Sequence, residues 1–191
     1  MRKKRTEAGF TLIEVVVVVA VIAILAAVLT PYITKYIDDS KIAKARNETQ
    51  VIGGALTNFY KDVGQWPNRN PATGAVVTVL YTGTAIPTSY PNFVNAGSGT
   101  GWNGAAGNLD NNLLVNGNTG TLYPTTTDLR WKGPYASSAL PLDPWGRPYL
   151  VNVAATGPIW VISAGPDQRI NTNATDNTVP STSDDIGFRV R

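Results

Sequence analysis

The chain has 191 residues, 43% of them hydrophobic, with a formal net charge of +3, which suits one domain plus an appendage. It contains no cysteine and no histidine, and that excludes disulfides, thiolate zinc sites, cysteine nucleophiles and the Ser–His–Asp triad. The charge is local, because Arg2, Lys3, Lys4 and Arg5 face only Glu7 in the first nine residues and leave 12 basic and 12 acidic residues beyond. No nucleic-acid partner is expected from that balance; the basic cluster is a topology signal.

Phe10 to Leu29 is a 20-residue run whose only polar members are Thr11 and Glu14. As a helix, about 20 apolar residues cross a hydrocarbon core of ~30 Å. Four basic residues ahead of the run keep that end cytoplasmic and send the remainder outward. The run is long for a signal peptide, and Ala26-Ala27-Val28 is a poor cleavage site. On these grounds alone an uncleaved single-span anchor fits as well as a processed chain. Glu14 is the anomaly, since an unpartnered carboxylate in hydrocarbon costs several kcal/mol. A partner cation, or snorkelling to the headgroups, would relieve it.

Pro31 follows the run and either stops or kinks the helix. Val51, Ile52, Ala55, Leu56, Phe59 and Val63 then recur at i, i+3, i+4 spacing and predict an amphipathic helix. Gly53-Gly54 weakens it by about 1 kcal/mol per glycine. Gly64 and Pro67 end it.

Residues 68–129 read as a long irregular surface region. Between Asn95 and Gly120, seven of 26 residues are Gly and seven are Asn, which no helix tolerates. Ala75 to Tyr81 and Leu113 to Val115 are β-like and leave room for a hairpin. A loop of this length carries a function or moves. Trp102 within it is expected to staple the region onto the core. From Arg130 the chain reads RWKGPYASSALPLDPWGRPYLVN, in which Pro144, Gly146 and Pro148 set a turn. Tyr149 to Val153 and Ile159 to Ser163 are expected strands. In the tail, Asp167, Asn171, Asn173, Asp176, Asp184 and Asp185 crowd a segment poor in apolar residues. Such a segment is a solvated turn or a set of oxygen ligands for calcium.

GFTLIE, preceded by basic residues and followed by the Val/Ile/Ala run, resembles the class III leader of type IV pilins and type II secretion pseudopilins. Phe59 to Pro67, FYKDVGQWP, is similar to the pseudopilin stretch Y-K-x-D-x-G-x-Y-P, and the block from Trp131 to Tyr149 to W-x-G-P-Y and L-P-x-D-P-W-G-x-P-Y. The resemblance implies cleavage between Gly9 and Phe10 by a prepilin peptidase and methylation of the new Phe10 amine. It also implies that Glu14, about one helical turn away, pairs in the filament with the Phe10 amine of a neighbouring subunit, an amine cationic below a pKa of about 8. Pro31 stands where the family's helix bends or melts on assembly. S-A-G-P-D followed by D-D-I resembles the calcium loop of major pseudopilins. Asp167 and Asp185 would be ligands, joined by Asp184 and by carbonyls near Ser163, with Asn171 and Asp176 as further candidates. The loop departs from the family in the added residues 173–183 and in having Gln168 where glycine is usual.

The expected fold is α+β: a long N-terminal helix packed on a small antiparallel β-sheet, with a long irregular loop region. The expected domains are a leader over 1–9, a transmembrane and assembly helix over 10–30, an amphipathic helix over 31–67 and a globular domain over 68–191. The resemblance implies a non-enzymatic filament subunit, a major pseudopilin of a type II secretion pseudopilus, in the bacterial inner membrane with its C-terminal domain periplasmic. A surface type IV pilus subunit is the nearest alternative. A single-span anchored extracytoplasmic binding domain is a remoter one. Copies of itself, minor pseudopilins or pilins, and an inner-membrane assembly platform would be the partners.

Overall fold

A computed structural model describes residues 9–84, 93–94, 99–117, 121–154 and 156–191. The basic cluster Arg2 to Arg5, and all of the expected leader except Gly9, lie outside them. The chain divides into two units, Met1–Ser40 and Lys41–Arg191.

One helix, α1 (Leu12–Val63), begins in the first unit. It is long and apolar enough to cross a membrane, and every described residue of this unit is exposed. Pro31 lies inside α1, where it has no N–H to donate. The preceding hydroxyl, Thr30 Oγ1, donates to the Ala26 carbonyl at 2.7 Å. Thr34 Oγ1 donates to Thr30 in the same way at 3.1 Å. The helix runs unbroken through the proline.

In the second unit the face of α1 made by Ala45, Thr49, Ile52, Ala55, Leu56, Phe59 and Val63 is buried, as the apolar spacing predicts. Val51 departs from that expectation and is 61% exposed. Gly64, at φ 75°, ends the helix in the left-handed conformation that glycine adopts without strain.

Five short strands follow: β1 (Val79–Tyr81), β2 (Ala106–Asn108), β3 (Leu150–Asn152), β4 (Trp160–Ser163) and β5 (Ile186–Arg189), with a one-turn helix α2 (Asp110–Leu113) after β2. They form one sheet in the order β2-β1-β3-β4-β5. The pairs β1–β3, β3–β4 and β4–β5 are antiparallel, as expected. The edge strand β2 pairs parallel with β1, so the sheet is mixed. Ala-Gly-Asn has almost no strand propensity. Its Gly107 sits in tight packing, since a Cβ there would lie 3.2 Å from Leu80 Cδ2. Leu113 to Val115, read as β-like, is instead the end of α2 and the turn after it. Leu113 points into the core from that turn, which accounts for its apolar character without a strand.

The strands alternate between two cores. Leu80, Val151 and Val161 face Ile52, Leu56 and Phe59 of α1. Val79, Tyr81, Leu150, Trp160 and Ile162 face the other way, against Phe93, Trp102 and Ile170. Both faces are covered, so the central strands β1, β3 and β4 carry apolar residues on both faces. Trp102 is 1% exposed and its indole N–H donates to the Thr172 carbonyl at 2.8 Å. The staple expected of it is present, and a buried aromatic of this size contributes roughly 1.5–3 kcal/mol.

Candidate functional site

The first candidate site is the N-terminal turn. Gly9 and Phe10 precede the helix and are exposed, so the Gly9–Phe10 peptide bond is outside hydrogen-bonded structure. Thr11 and Glu14 form a reciprocal capping box. Glu14 Oε2 accepts the Thr11 amide at 2.9 Å and the Thr11 hydroxyl at 2.8 Å. The Glu14 amide donates back to Thr11 Oγ1 at 3.3 Å. Ser/Thr-x-x-Glu is the usual signature of this cap, and T-L-I-E displays it. The charge of Glu14 alone does not reveal this second role. The cap uses atoms from Thr11 onward, so removal of residues 1–9 leaves it intact. It also leaves one Glu14 oxygen, Oε1, outside the box.

The second candidate site is the acidic tail. Asp167, Asn171, Asp184 and Asp185 are brought together in one hydrogen-bonded chain. Asp184 Oδ2 accepts the Asp167 amide at 2.8 Å. Asp167 accepts the Arg169 amide at 2.7 Å and the Asn171 side-chain amide at 3.4 Å. Asp185 Oδ2 accepts three donors, the amides of Asn171 and Thr172 and the Thr172 hydroxyl, at 2.7–2.9 Å. Gly165 lets the two ends of the loop meet, since a Cβ there would lie 2.2 Å from the Asp184 carbonyl oxygen.

The side chains of two further candidates have partners of their own. The Ser163 hydroxyl donates to Asp143 Oδ2 at 2.6 Å. Asp176 accepts the Asn173 amide at 2.9 Å, within the added residues themselves. Asp143, within the DPWG turn, was not singled out from the sequence. It is buried and also accepts the amides of Trp145 and Arg147. The Asx-Pro-x-Gly pattern that marked the turn is the signal that could have found it.

The three groups on Asp185 Oδ2 are hydrogen-bond donors and occupy that oxygen, whereas a calcium ion takes oxygen ligands. Asp185 Oδ1 is buried and has no hydrogen-bond partner, and burial raises the Asp185 carboxyl above the ordinary range. An orphaned carboxylate oxygen of this kind fits a cation. Among the described residues no three acidic side chains group as ligands of one ion. Such a shell would therefore draw on carbonyls and amide oxygens beside Asp185.

Comparison with known proteins bears on both ends. Residues 4–30 match the family model described as the prokaryotic N-terminal methylation motif. Residues 116–182 match the model described as type II secretion system (T2SS), protein G. The chain is 28% identical to the type II secretion system core protein G of Pseudomonas aeruginosa over 166 residues, 86% of this chain and 87% of that one. The chain is thus similar, at both matched segments, to type IV pilin-like proteins. It is 41% identical to the fimbrial protein EcpC of Eikenella corrodens over 76 residues, 40% of this chain and half the length of that relative. It is 38% identical over 66 residues to a type IV major pilin protein PilE1 of Neisseria gonorrhoeae, covering 31% of it. No solved structure matches. The methylation motif spans Gly9, Phe10 and Glu14. The protein G match includes the DPWG turn and Asp167 and stops short of Asp184 and Asp185.

Proposed function

We propose that the chain is a structural filament subunit of the major pseudopilin kind, polymerising through its N-terminal helix into a type II secretion pseudopilus. The observation that carries this reading is the first unit of α1. Val15 to Leu29 present their apolar side chains to the exterior, each at least half exposed among the large ones. Such a surface needs lipid or other copies of itself around it. The single carboxylate, Glu14, stands in its first turn. Lipid houses the helix before assembly and neighbouring helices house it afterwards. The Phe10 amine released by a prepilin peptidase gives Glu14 its partner in the next subunit, which sets axial register. The subunit resides in the inner membrane with residues beyond the span on the periplasmic side. Minor pseudopilins and an assembly platform are its partners, and the role is not catalytic.

Intact mass of the protein from its native membrane tests this. Loss of Met1 to Gly9 with gain of one methyl is expected. Retention of the leader overturns the reading and leaves an anchored domain. The pilin names among the relatives favour a surface pilus as the second reading. Fibres sheared from intact cells and containing this chain would select it.

We also propose that calcium binds at the tail, with Asp185 as its buried carboxylate and Asp167 and Asp184 beside it. The orphaned Asp185 Oδ1 supports this reading. The ion would cross-link strand β5 to the loop after β4 and add its binding energy to folding. A calcium adduct in native mass spectrometry, lost on chelation and absent from Asp185→Asn, is the expected result. No adduct at millimolar calcium overturns it.

A further inference from the structure

The Asn/Gly-rich insertion and the lengthened tail are two additions to one place. Residues 93–94 and 99–102 lie directly against residues 170–174. The Ile170 amide donates to the Phe93 carbonyl at 2.7 Å, and Val94 and Ile170 form a parallel bridge. The Gly99 amide donates to the Asn171 carbonyl at 3.0 Å, and the Ala174 amide to the Thr100 carbonyl at 2.8 Å. Asn173 Oδ1 accepts both the amide and the hydroxyl of Thr100, each at 2.9 Å. Trp102 donates to Thr172.

The glycines of the strap are shaped to this contact. At Gly99 (φ 67°) a Cβ would lie 2.3 Å from the Ile170 carbonyl oxygen, and at Gly101 (φ 87°) 2.8 Å from the Ala174 Cβ. Composition that reads as a loose loop is here what close backbone approach demands. Phe93, Trp102, Ile170 and Ala174 close over the outer face of the sheet in one apolar cluster. The paired segments thus bury apolar side chains and satisfy each other's backbone groups, which is what resists local opening.

We infer that residues 93–94 and 99–102 form a built-in strap that holds residues 170–174 of the C-terminal loop without the help of a cation, with Trp102 as its positioning residue. Two ends of one loop then have different supports. The Asp167–Asp184–Asp185 end is where calcium is proposed to act; residues 170–174 meet that end through the Asn171 and Thr172 donors on Asp185 Oδ2 and are held at Ile170 and Ala174 by the strap. The inference does not rest on the filament reading, and it stands whether or not calcium binds.

Hydrogen exchange of the full chain in detergent, resolved at single amides and measured with calcium and with EDTA, tests it. The Ile170 and Ala174 amides donate to the strap itself, so they report on it directly. In the wild type both should exchange at the same rate in the two buffers. In Trp102→Phe both should exchange on the order of tenfold faster in either buffer, from loss of one buried hydrogen bond. Amides of β3 and β4 should be unchanged, which separates strap release from general unfolding. Asn173→Ala, which removes the two Thr100 bonds and keeps the core aromatic, should act in the same direction. Loss of Ile170 and Ala174 protection on adding EDTA to the wild type overturns the inference. So does unchanged exchange in both variants. Failure of the calcium proposal alone would leave these two amides as expected and show no EDTA effect near Asp184.

Discussion

The ring of Phe188 on β5 lies against the bare Cα of Gly53 on α1: a Cβ there would come 2.5 Å from the ring. A Cβ on Gly54, the next residue, would meet nothing within 4 Å. Two adjacent glycines therefore have opposite roles. Gly53 is a notch for Phe188, whereas Gly54 is exposed and only lowers helix propensity. Gly54→Ala should stabilise the second unit by about 0.5–1 kcal/mol. Gly53→Ala gains the same propensity but must displace the ring, and should destabilise by about 1–2 kcal/mol. Denaturant midpoints with unchanged m-values would check both. Equal effects at the two positions would remove the notch.

The capping box separates two jobs of Glu14 that an alanine substitution confounds. Glutamine keeps the cap, because its carbonyl oxygen can accept from Thr11 as the carboxylate does. It cannot form an ion pair with a neighbour's Phe10 amine. Glu14→Gln is expected to be processed normally and to retain its helix start by circular dichroism. Its filament yield should fall about tenfold or more, as in Glu14→Ala. Wild-type filament yield from Glu14→Gln would refute charge pairing and leave the cap as the residue's role.

Much of this was legible from residues 10–67 and 131–163, because apolar period, helix stops and turn prolines are local signals. Val63-Gly64 ended the helix where expected, and Leu150 to Asn152 and Trp160 to Ser163 formed where the apolar runs stood. The strands β2 and β5 were not legible. Ala-Gly-Asn and Ile-Gly-Phe-Arg owe their extended form to partners far along the chain, and their glycines serve close packing against Leu80 and Trp160. The same holds for the strap, whose Gly99 and Gly101 read as part of a long irregular loop until Ile170 and Ala174 are set beside them. At the tail, the sequence grouped six residues by proximity along the chain. Folding kept Asp167, Asn171, Asp184 and Asp185 together and sent Asp176 to Asn173 and the Ser163 hydroxyl to Asp143.

Gln168 sits in the tail loop at φ 62°, a positive φ that no other described non-glycine residue adopts. A side chain in this conformation costs about 1 kcal/mol. The loop between Asp167 and Arg169 turns there, with the Gln168 amide donating to the Gly165 carbonyl at 3.1 Å. Gln168→Gly should relieve the strain and raise the unfolding free energy by up to about 1 kcal/mol, offset in part by the greater freedom of glycine in the unfolded chain. Gln168→Val should lower it, because a β-branched residue tolerates positive φ least. A Gly variant less stable than wild type by thermal unfolding would mean that the side chain, rather than the backbone, matters at this position.

Asp143 makes stability depend on pH. It is 4% exposed, and burial raises its carboxyl above the ordinary value near 4, against the pull of its bonds from Ser163, Arg147 and Trp145. Between the unfolded value and the raised folded one, the native state binds the proton more tightly than the unfolded chain does. The stability this group contributes is therefore complete below about pH 4 and is lost as pH rises through its folded value. Asp185, raised by burial as well, acts in the same direction. Asparagine at 143 keeps an oxygen for the Trp145 and Arg147 amides and offers an N–H to Ser163. Asp143→Asn should thus flatten the decline in stability above pH 4 and be at least as stable as the wild type at neutral pH. Unfolding free energies measured from pH 4 to 7 would decide. A variant whose curve runs parallel to the wild type would show that Asp143 is not the titrating group, and a uniformly lower curve would show that its bonds need the full carboxylate.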